Sequence, residues 1–473
     1  MSQTNYGRES FSNVDTAWLR MDSPTNLAII TGVISFPGPL DFERLRVTVE
    51  ARLLPFMRFR QRVRESSIPL GSPQWELDPD FDLDYHLQRI TLTGSADHEM
   101  LQHFVSELMS IPLIHTRPLW QLFYIDDVDG GSAIVARLHH CIADGIALMQ
   151  VLLSMADDSA DAPWPEPFDD TQDEISTLAR LLMPAVKAVQ FIGSGMQTAG
   201  NLIQGGMDVL IHPSRLERAA KVGTAGVLAF GKLILLPPDR RTILKEKCGI
   251  PKRAAWYSEI KVEEVKAVGQ MMGGTINDIL LSAVTGALRR YLVERGQSVN
   301  GLNIRAVVPV NLRPVDELDE LGNRFGLVFL SLPVGISDPI RRLVVLRHRM
   351  NAIKNSPEAV AALGILNFIG MTPAQIEKII VTIFGLKGTA VMTNVPGPRQ
   401  TIYMAGQPIS SLMFWVPSPS NLSLGVSILS YAGDVILGIE SDATVIPDPE
   451  RIIELFRVEF EYLRQWGQSQ KEA

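Results

Sequence analysis

The chain has 473 residues, 46% of them hydrophobic and 20% charged, with a formal net charge of -8. That length predicts two domains of roughly 200 residues or more, and the acidic balance, with a pI near 5.6, excludes the basic footprint that replaces phosphate counterions on nucleic acid. Two cysteines, Cys141 and Cys248, exclude a disulfide framework and suit a reducing cytoplasm, while the opening MSQTNYGRES lacks the basic and apolar regions of a signal peptide.

In chain order, NLAIITGVISF reads as a buried strand and DFERLRVTVEARLL as a helix. SAIVARLHH is an apolar strand ending at two histidines, and DGIALMQVLLSMA then takes helical spacing. Residues 156–174, ADDSADAPWPEPFDDTQDE, carry eight acids, three prolines and no basic residue, the composition of a solvated linker. The expected division is therefore 1–155, 156–235 as linker and amphipathic segment, and 236–473. In the last part TINDILLSAVTGALRRYLVERG is a strong helix. IRAVVPVNLR, GLVFLSLPV, TAVMTNVPGP and NLSLGVSILSYAGDVILGIESD are strands and a hairpin, and PERIIELFRVEFEYLRQW closes as an amphipathic helix. Strands interleaved with helices on both sides of the linker predict a layered α/β architecture in two halves.

The chemistry concentrates at RLHHCIADGIAL, residues 137–148, which places His139, His140, Asp144 and Gly145 between a strand end and a helix start. H-H-x-x-x-D-G arises by chance in on the order of one such chain per thousand or fewer. A neutral imidazole accepts a proton at physiological pH. A hydroxyl attacking a carbonyl needs that help, because the free alcohol is a weak nucleophile. Asp144 is suited to fixing the geometry through an arginine or a backbone donor, and Gly145 to a close turn of the backbone beneath the site. Zinc would want a third protein ligand, and His98 and His103 of HEMLQH are five apart and off one helix face, so no metal is expected. Serine hydrolysis would want a G-x-S-x-G elbow, which the chain lacks. Cys141 adjoins His140 on a strand-like segment, where neighbouring side chains point apart. The bland alternative is a structural pair of histidines at a strand end.

H-H-x-x-x-D-G resembles the signature of coenzyme A-dependent acyltransferases with the chloramphenicol acetyltransferase fold and of peptide-synthetase condensation domains. RPLW at 117–120, NDILL at 277–281 and TNVPGP at 393–398 are similar to the accompanying motifs of the bacterial wax ester synthase/diacylglycerol acyltransferase family. The resemblance runs over nearly the whole chain, with Thr393 standing where the family pattern usually has serine. It implies a two-domain α/β sandwich with the active site in the cleft between domains. It further implies transfer of a fatty acyl group from acyl-coenzyme A, as substrate and with no cofactor, to a long-chain alcohol or diacylglycerol. His140 would be the general base, His139 would shape the site, and Asp144 would hold the loop. Trp120 packs or faces substrate; Asn277 and Asp278 cap a helix or serve the reacting carbonyl; Asn394 lies in a rigid turn beside the acyl chain. The alternatives are a carrier-bound acyl donor, a secondary-metabolite alcohol, or a non-catalytic lipid-surface protein.

Lipid substrates imply peripheral association with a membrane or lipid droplet from the cytoplasm. Ala188 to Met207 and Ala359 to Gln375 are charge-poor but too polar or too short to span a bilayer, so each reads as a packed or interfacial helix. Arg240, Arg241, Lys245, Lys247, Lys252 and Arg253 form the densest basic stretch and are expected to meet cofactor phosphates, anionic lipid or simply solvent. GVLAFGKL at 226–233 approaches a P-loop but has Leu233 where Ser or Thr belongs.

Overall fold

The computed structural model describes residues 8–66, 71–92, 97–166, 233, 235–312, 322–354, 358–418 and 422–472. The first part builds α1 (Asn13–Met21), β1 (Ile29–Phe36), α2 (Phe42–Arg52), β2 (Leu87–Ile90), α3 (His98–Met109), β3 (Trp120–Val128), β4 (Gly131–His139) and α4 (Gly145–Met155). The second part builds β5 (Lys252–Lys261), α5 (Ile276–Glu294), β6 (Ile304–Asn311), β7 (Phe325–Leu332), α6 (Glu358–Gly370) and α7 (Ala374–Gly385). β8 (Ala390–Pro396), β9 (Ser411–Trp415), β10 (Leu424–Tyr431) and β11 (Asp434–Asp442) follow, and the helix Pro449–Glu472 closes the chain. The predicted strand ending at the histidines and the helix after them are both present.

The helix starts follow local chemistry. The Ser12 hydroxyl accepts the Asp15 N–H at 3.0 Å and opens α1, and the Asp41 carboxylate accepts the Arg44 N–H at 3.1 Å and opens α2. Thr275 and Asp278 form a reciprocal capping box at α5.

Two sheets carry the fold. The first runs β9-β1-β4-β3-β2 and the second β7-β6-β8-β10-β11-β5. In the first, β1, β4 and β9 are antiparallel neighbours and β2 joins β3 in parallel. Its outer strand β9 lies far along the chain, so the sheet is completed from the C-terminal half. Residue-level reading of the first half does not reveal this strand, because SLMFW is short and its partner lies some hundreds of residues away.

The halves are bound by packing and by hydrogen bonds. Trp415 of β9 meets Trp256 of β5 edge to face with centroids 5.4 Å apart. Gly438 of β11 lets β9 approach, since a Cβ there would fall 2.2 Å from Met413 Cε. The hydroxyls of Ser106 in α3 and of Ser110 just after it accept the Ala254 and Lys252 N–H groups at 2.9 Å, covering the edge of β5. Each sheet has its own apolar cluster, and the first cluster reaches into the second half through Ala254, Trp256 and Phe325.

The basic stretch is largely structural. Lys245 Nζ donates to the Leu386 and Gly388 carbonyls at 2.6 Å, just past the α7 C-terminus. Lys252 is buried in an ion pair with Asp442 at 2.7 Å, and Arg253 pairs with Glu450 at 2.6 Å. Arg240, Arg241 and Lys247 stay exposed. Ala188 to Met207 lies outside the described residues. The 359–375 stretch forms α6 and the turn after it, burying Ala359, Ala362, Ile365, Leu366 and Ile369 while exposing Phe368 and Met371.

Candidate active site

Alternation along β4 sorts the motif. Leu138 points to one face of the sheet, toward α2 and α4, while Arg137 and His139 point to the other. Arg137 is buried there and donates to Gln121 Oε1 at 2.9 Å and to the Ile111 carbonyl. Burial lowers its pKa to about 10, so it remains a cation at neutral pH. His140 follows the strand end, and its N–H donates to the Ala28 carbonyl at 2.7 Å.

The His140 imidazole is buried against α1 and β7. It stacks on Trp18 with centroids 3.9 Å apart and planes 14° from parallel, and Phe325 lies 5.5 Å away. Burial pulls its pKa down to about 4, against the Asp144 charge, which acts to raise it. The ring is therefore neutral at physiological pH and able to take a proton. The Cys141 thiol, also buried, is pushed well above its usual range by that burial and offers no thiolate.

Asp144 acts through backbone donors. Its Oδ1 accepts the Ala147 N–H at 3.0 Å and caps α4, and its Oδ2 accepts the Arg324 N–H at 3.0 Å. The Asp144 N–H donates to the Gly322 carbonyl at 3.2 Å. Between these two contacts the Asn323 amide donates to the His140 carbonyl at 2.7 Å and to Asp15 Oδ1 at 2.8 Å. Burial raises the Asp15 carboxyl above its ordinary pKa, more than its hydrogen bonds to Asn323 and Ser12 lower it. Gly322, Asn323, Arg324 and Phe325 thus clasp the histidine loop from the second half, and Gly322 adopts φ +117°, where glycine is favoured. Sequence reasoning missed this clasp and Trp18. Their only trace was a Gly-Asn pair before an apolar strand and a tryptophan in the first helix.

The other candidates divide. His139 has no exposed surface, and its N–H donates to the Leu119 carbonyl of the RPLW motif at 2.9 Å. Gly145 corrects the expectation of a close turn. It opens α4, and among the described residues a Cβ there would meet only Phe414 Cε2 at 3.9 Å, so the backbone does not need glycine for space. What its missing side chain leaves open is a cavity. That apolar cavity, about 100 Å³, lies between the first sheet and helices α2 and α4, with Gly145, Leu138, Trp120, Phe59, Met149 and Phe414 among its walls. Trp120 is both packed and a wall: its Nε1 donates to the Phe59 carbonyl at 2.8 Å, and its ring stacks on His86 at 4.6 Å.

The ND and NVPGP motifs meet each other. The Asn394 amide donates to Asn277 Oδ1 at 2.8 Å. Asp278 is held in the cap of α5, accepting from the Thr275 N–H and hydroxyl at 2.8 Å. Thr393 donates its hydroxyl to Ser427 at 3.1 Å, a bond that a serine hydroxyl also offers.

Asp22, His115 and His139 bring three ligand-type atoms within 4.8 Å of one another. The polarity is wrong for a metal. The Cys141 N–H donates to His139 Nδ1 at 3.2 Å, which leaves the ring proton on Nε2, facing the carboxylate. A metal-bound histidine has the reverse arrangement, with its outer nitrogen donating.

The family model described as "Wax ester synthase/diacylglycerol acyltransferase catalytic domain" matches residues 11–280, and "WS/DGAT C-terminal domain" matches 321–464. A Mycobacterium tuberculosis H37Rv protein named "Probable diacyglycerol O-acyltransferase tgs1" is 30% identical over 450 residues, 92% of each chain. Among solved structures, the wax ester synthase/diacylglycerol acyltransferase of Marinobacter aquaeolei VT8 matches with a TM-score of 0.68 at 19% identity, over 97% of this chain and 99% of that one. A starter condensation domain of rhizomide synthetase, described in complex with C8-CoA and Leu-SNAC, matches with a TM-score of 0.56 at 12% identity, over 98% and 95%. The fold is shared with these two solved structures. The chain belongs to the wax ester synthase/diacylglycerol acyltransferase family and is an acyltransferase that makes wax ester or triacylglycerol.

Proposed function

We propose that the chain moves a fatty acyl group from acyl-coenzyme A to the hydroxyl of a long-chain alcohol or diacylglycerol, with His140 as general base. The observation that carries this is a neutral, buried His140 four residues before Asp144, whose neighbour Gly145 opens onto an apolar cavity. His140 takes the hydroxyl proton as the oxygen attacks the thioester carbonyl. The tetrahedral oxyanion then collapses, breaking the C–S bond, and the imidazolium returns the proton to the departing thiolate. No acyl-enzyme is needed. The donor reading draws support from the rhizomide synthetase domain of similar fold, described with C8-CoA. The cavity suits an acyl or alkyl chain because its walls offer almost no hydrogen-bonding partner. His139 and Asp144 hold the loop, and the Asn277–Asn394 pair and Trp120 serve as contacts for substrate.

Insoluble substrates imply peripheral contact of the protein with a membrane or droplet. Among the described residues no single helix is long and apolar enough to cross a bilayer. Exposed Phe368, Met371, Ile376, Ile379 and Ile383 on and between α6 and α7 supply the apolar face for such contact.

A radiolabelled acyl-coenzyme A assay with hexadecanol and with diacylglycerol tests the reaction. Labelled wax ester or triacylglycerol is the expected product. Labelled product only from a carrier-bound donor, or none with either acceptor, overturns the reading.

A further inference from the structure

We propose that Asp22 is a positioning residue for acyl transfer, anchoring the peptide bonds on both sides of His140, an inference that rests on the reading of His140 as the base. Asp22 ends α1, the helix whose Trp18 covers the His140 ring. Its two carboxylate oxygens reach the base by separate routes. Oδ1 accepts the Ala28 N–H, and the Ala28 carbonyl accepts the His140 N–H at 2.7 Å. Oδ2 lies 3.4 Å from His139 Nε2, and the far side of that ring, Nδ1, accepts the Cys141 N–H at 3.2 Å. The Cys141 N–H belongs to the peptide bond that follows His140. One carboxylate therefore fixes the peptide before the base through a backbone and the peptide after it through an imidazole.

The tautomer is dictated by these contacts. With a backbone N–H aimed at Nδ1, His139 carries its proton on Nε2 and presents it to Asp22. Burial works to raise the Asp22 carboxyl, but the His115 and His139 rings close to it and the Ala28 N–H that it accepts hold it well below the usual carboxylate range. His115, whose Nε2 sits 3.5 Å from the same oxygen, covers the outer side. With the His140 carbonyl taken by Asn323, the peptides on both sides of the base are held, and the Trp18 and Phe325 rings pack its imidazole.

Asp22→Asn tests this. It keeps the shape and the acceptor for Ala28 but sets a neutral amide against His139 Nε2–H. The expected result is a fall in kcat approaching 10²-fold, about the cost of a 1 Å misplacement, with KM for donor and acceptor unchanged. Combined with His139→Gln, the loss should be no larger than that of the worse single variant, since Asp22 acts through that ring. Unchanged kcat in Asp22→Asn, losses that multiply in the double variant, or a loss that only tracks the unfolded fraction by circular dichroism overturns the inference. His140→Ala is assayed alongside: if that variant keeps near-full turnover, it is the base assignment that has failed.

Discussion

The Trp18 indole lies flat on the His140 imidazole, centroids 3.9 Å apart. This contact helps keep water from the ring, so it is part of why the His140 pKa falls to about 4. Wild-type kcat/KM should therefore hold down to about pH 4 before its acid limb falls. Trp18→Ala readmits water, and the limb should move up toward the ordinary histidine value near 6.5. A pH–rate series on both proteins measures this; coincident limbs would show that the indole has no such role.

His140→Ala should lower turnover by ~10²–10⁴-fold, the range for a lost general base, with the fold intact. The check is kcat alongside a thermal melt. A folded variant with near-full turnover would sink the assignment.

Asp144→Ala should reduce both stability and activity. It removes the cap of α4, worth about 1 kcal/mol, and leaves the Arg324 N–H without its acceptor, which costs a further ~1–3 kcal/mol. Asp144→Asn retains an acceptor oxygen and should lose less. Melting temperatures for the pair, read with activity, decide it, and an unaltered Asp144→Ala protein contradicts the clasp.

Gly145→Leu should shorten the acyl or alkyl chains the enzyme accepts. The helix start tolerates a Cβ, with Phe414 at 3.9 Å its one neighbour among the described residues, so the variant should fold while its side chain fills the cavity. The ratio of kcat/KM for palmitoyl over butyryl donors, and for hexadecanol over butanol, should fall for at least one of the two. Equal losses across all chain lengths would separate the cavity from substrate.

Glu377 of α7 is buried beside Arg20 of α1, and burial raises its pKa from 4.5 to about 7, with Arg20 drawing it only partly back. The native state thus holds a proton that the unfolded chain releases near pH 4.5. Stability from this group is complete below that pH and is lost as pH rises through about 7. Glu377→Gln, which cannot ionise, should gain on wild type across that window, by about 3 kcal/mol at most. Paired melts at several pH values test the slope, and a difference independent of pH would refute it.

Much of the site was legible because its signal is local. The strand that ends at His139, the turn through His140 and the helix from Gly145 lie within about a dozen residues, so periodicity and spacing locate them together. Trp18, Asp22 and Asn323 carry no such signal, since their meaning comes from partners that only the folded chain brings near. The basic stretch misled for the converse reason. Lys245, Lys252 and Arg253 look free in sequence but are held by carbonyls and carboxylates from distant elements. Asp278 was ambiguous between cap and chemistry, and only the reciprocal bonds with Thr275 place it in the cap.

Because β9 sits at the edge of the first sheet and Phe414 walls its cavity, the stretch matched as the catalytic domain, 11–280, does not contain its own outer strand. Expressed alone it would leave the β1 backbone edge bare, an invitation to pair with another copy. For heredity the consequence is sharper. A recombination breakpoint between residues 280 and 411 joins a pocket floor from one parent to a pocket rim from another, so chimeras should inherit chain-length preference from neither parent alone, and the gene should diverge as one unit.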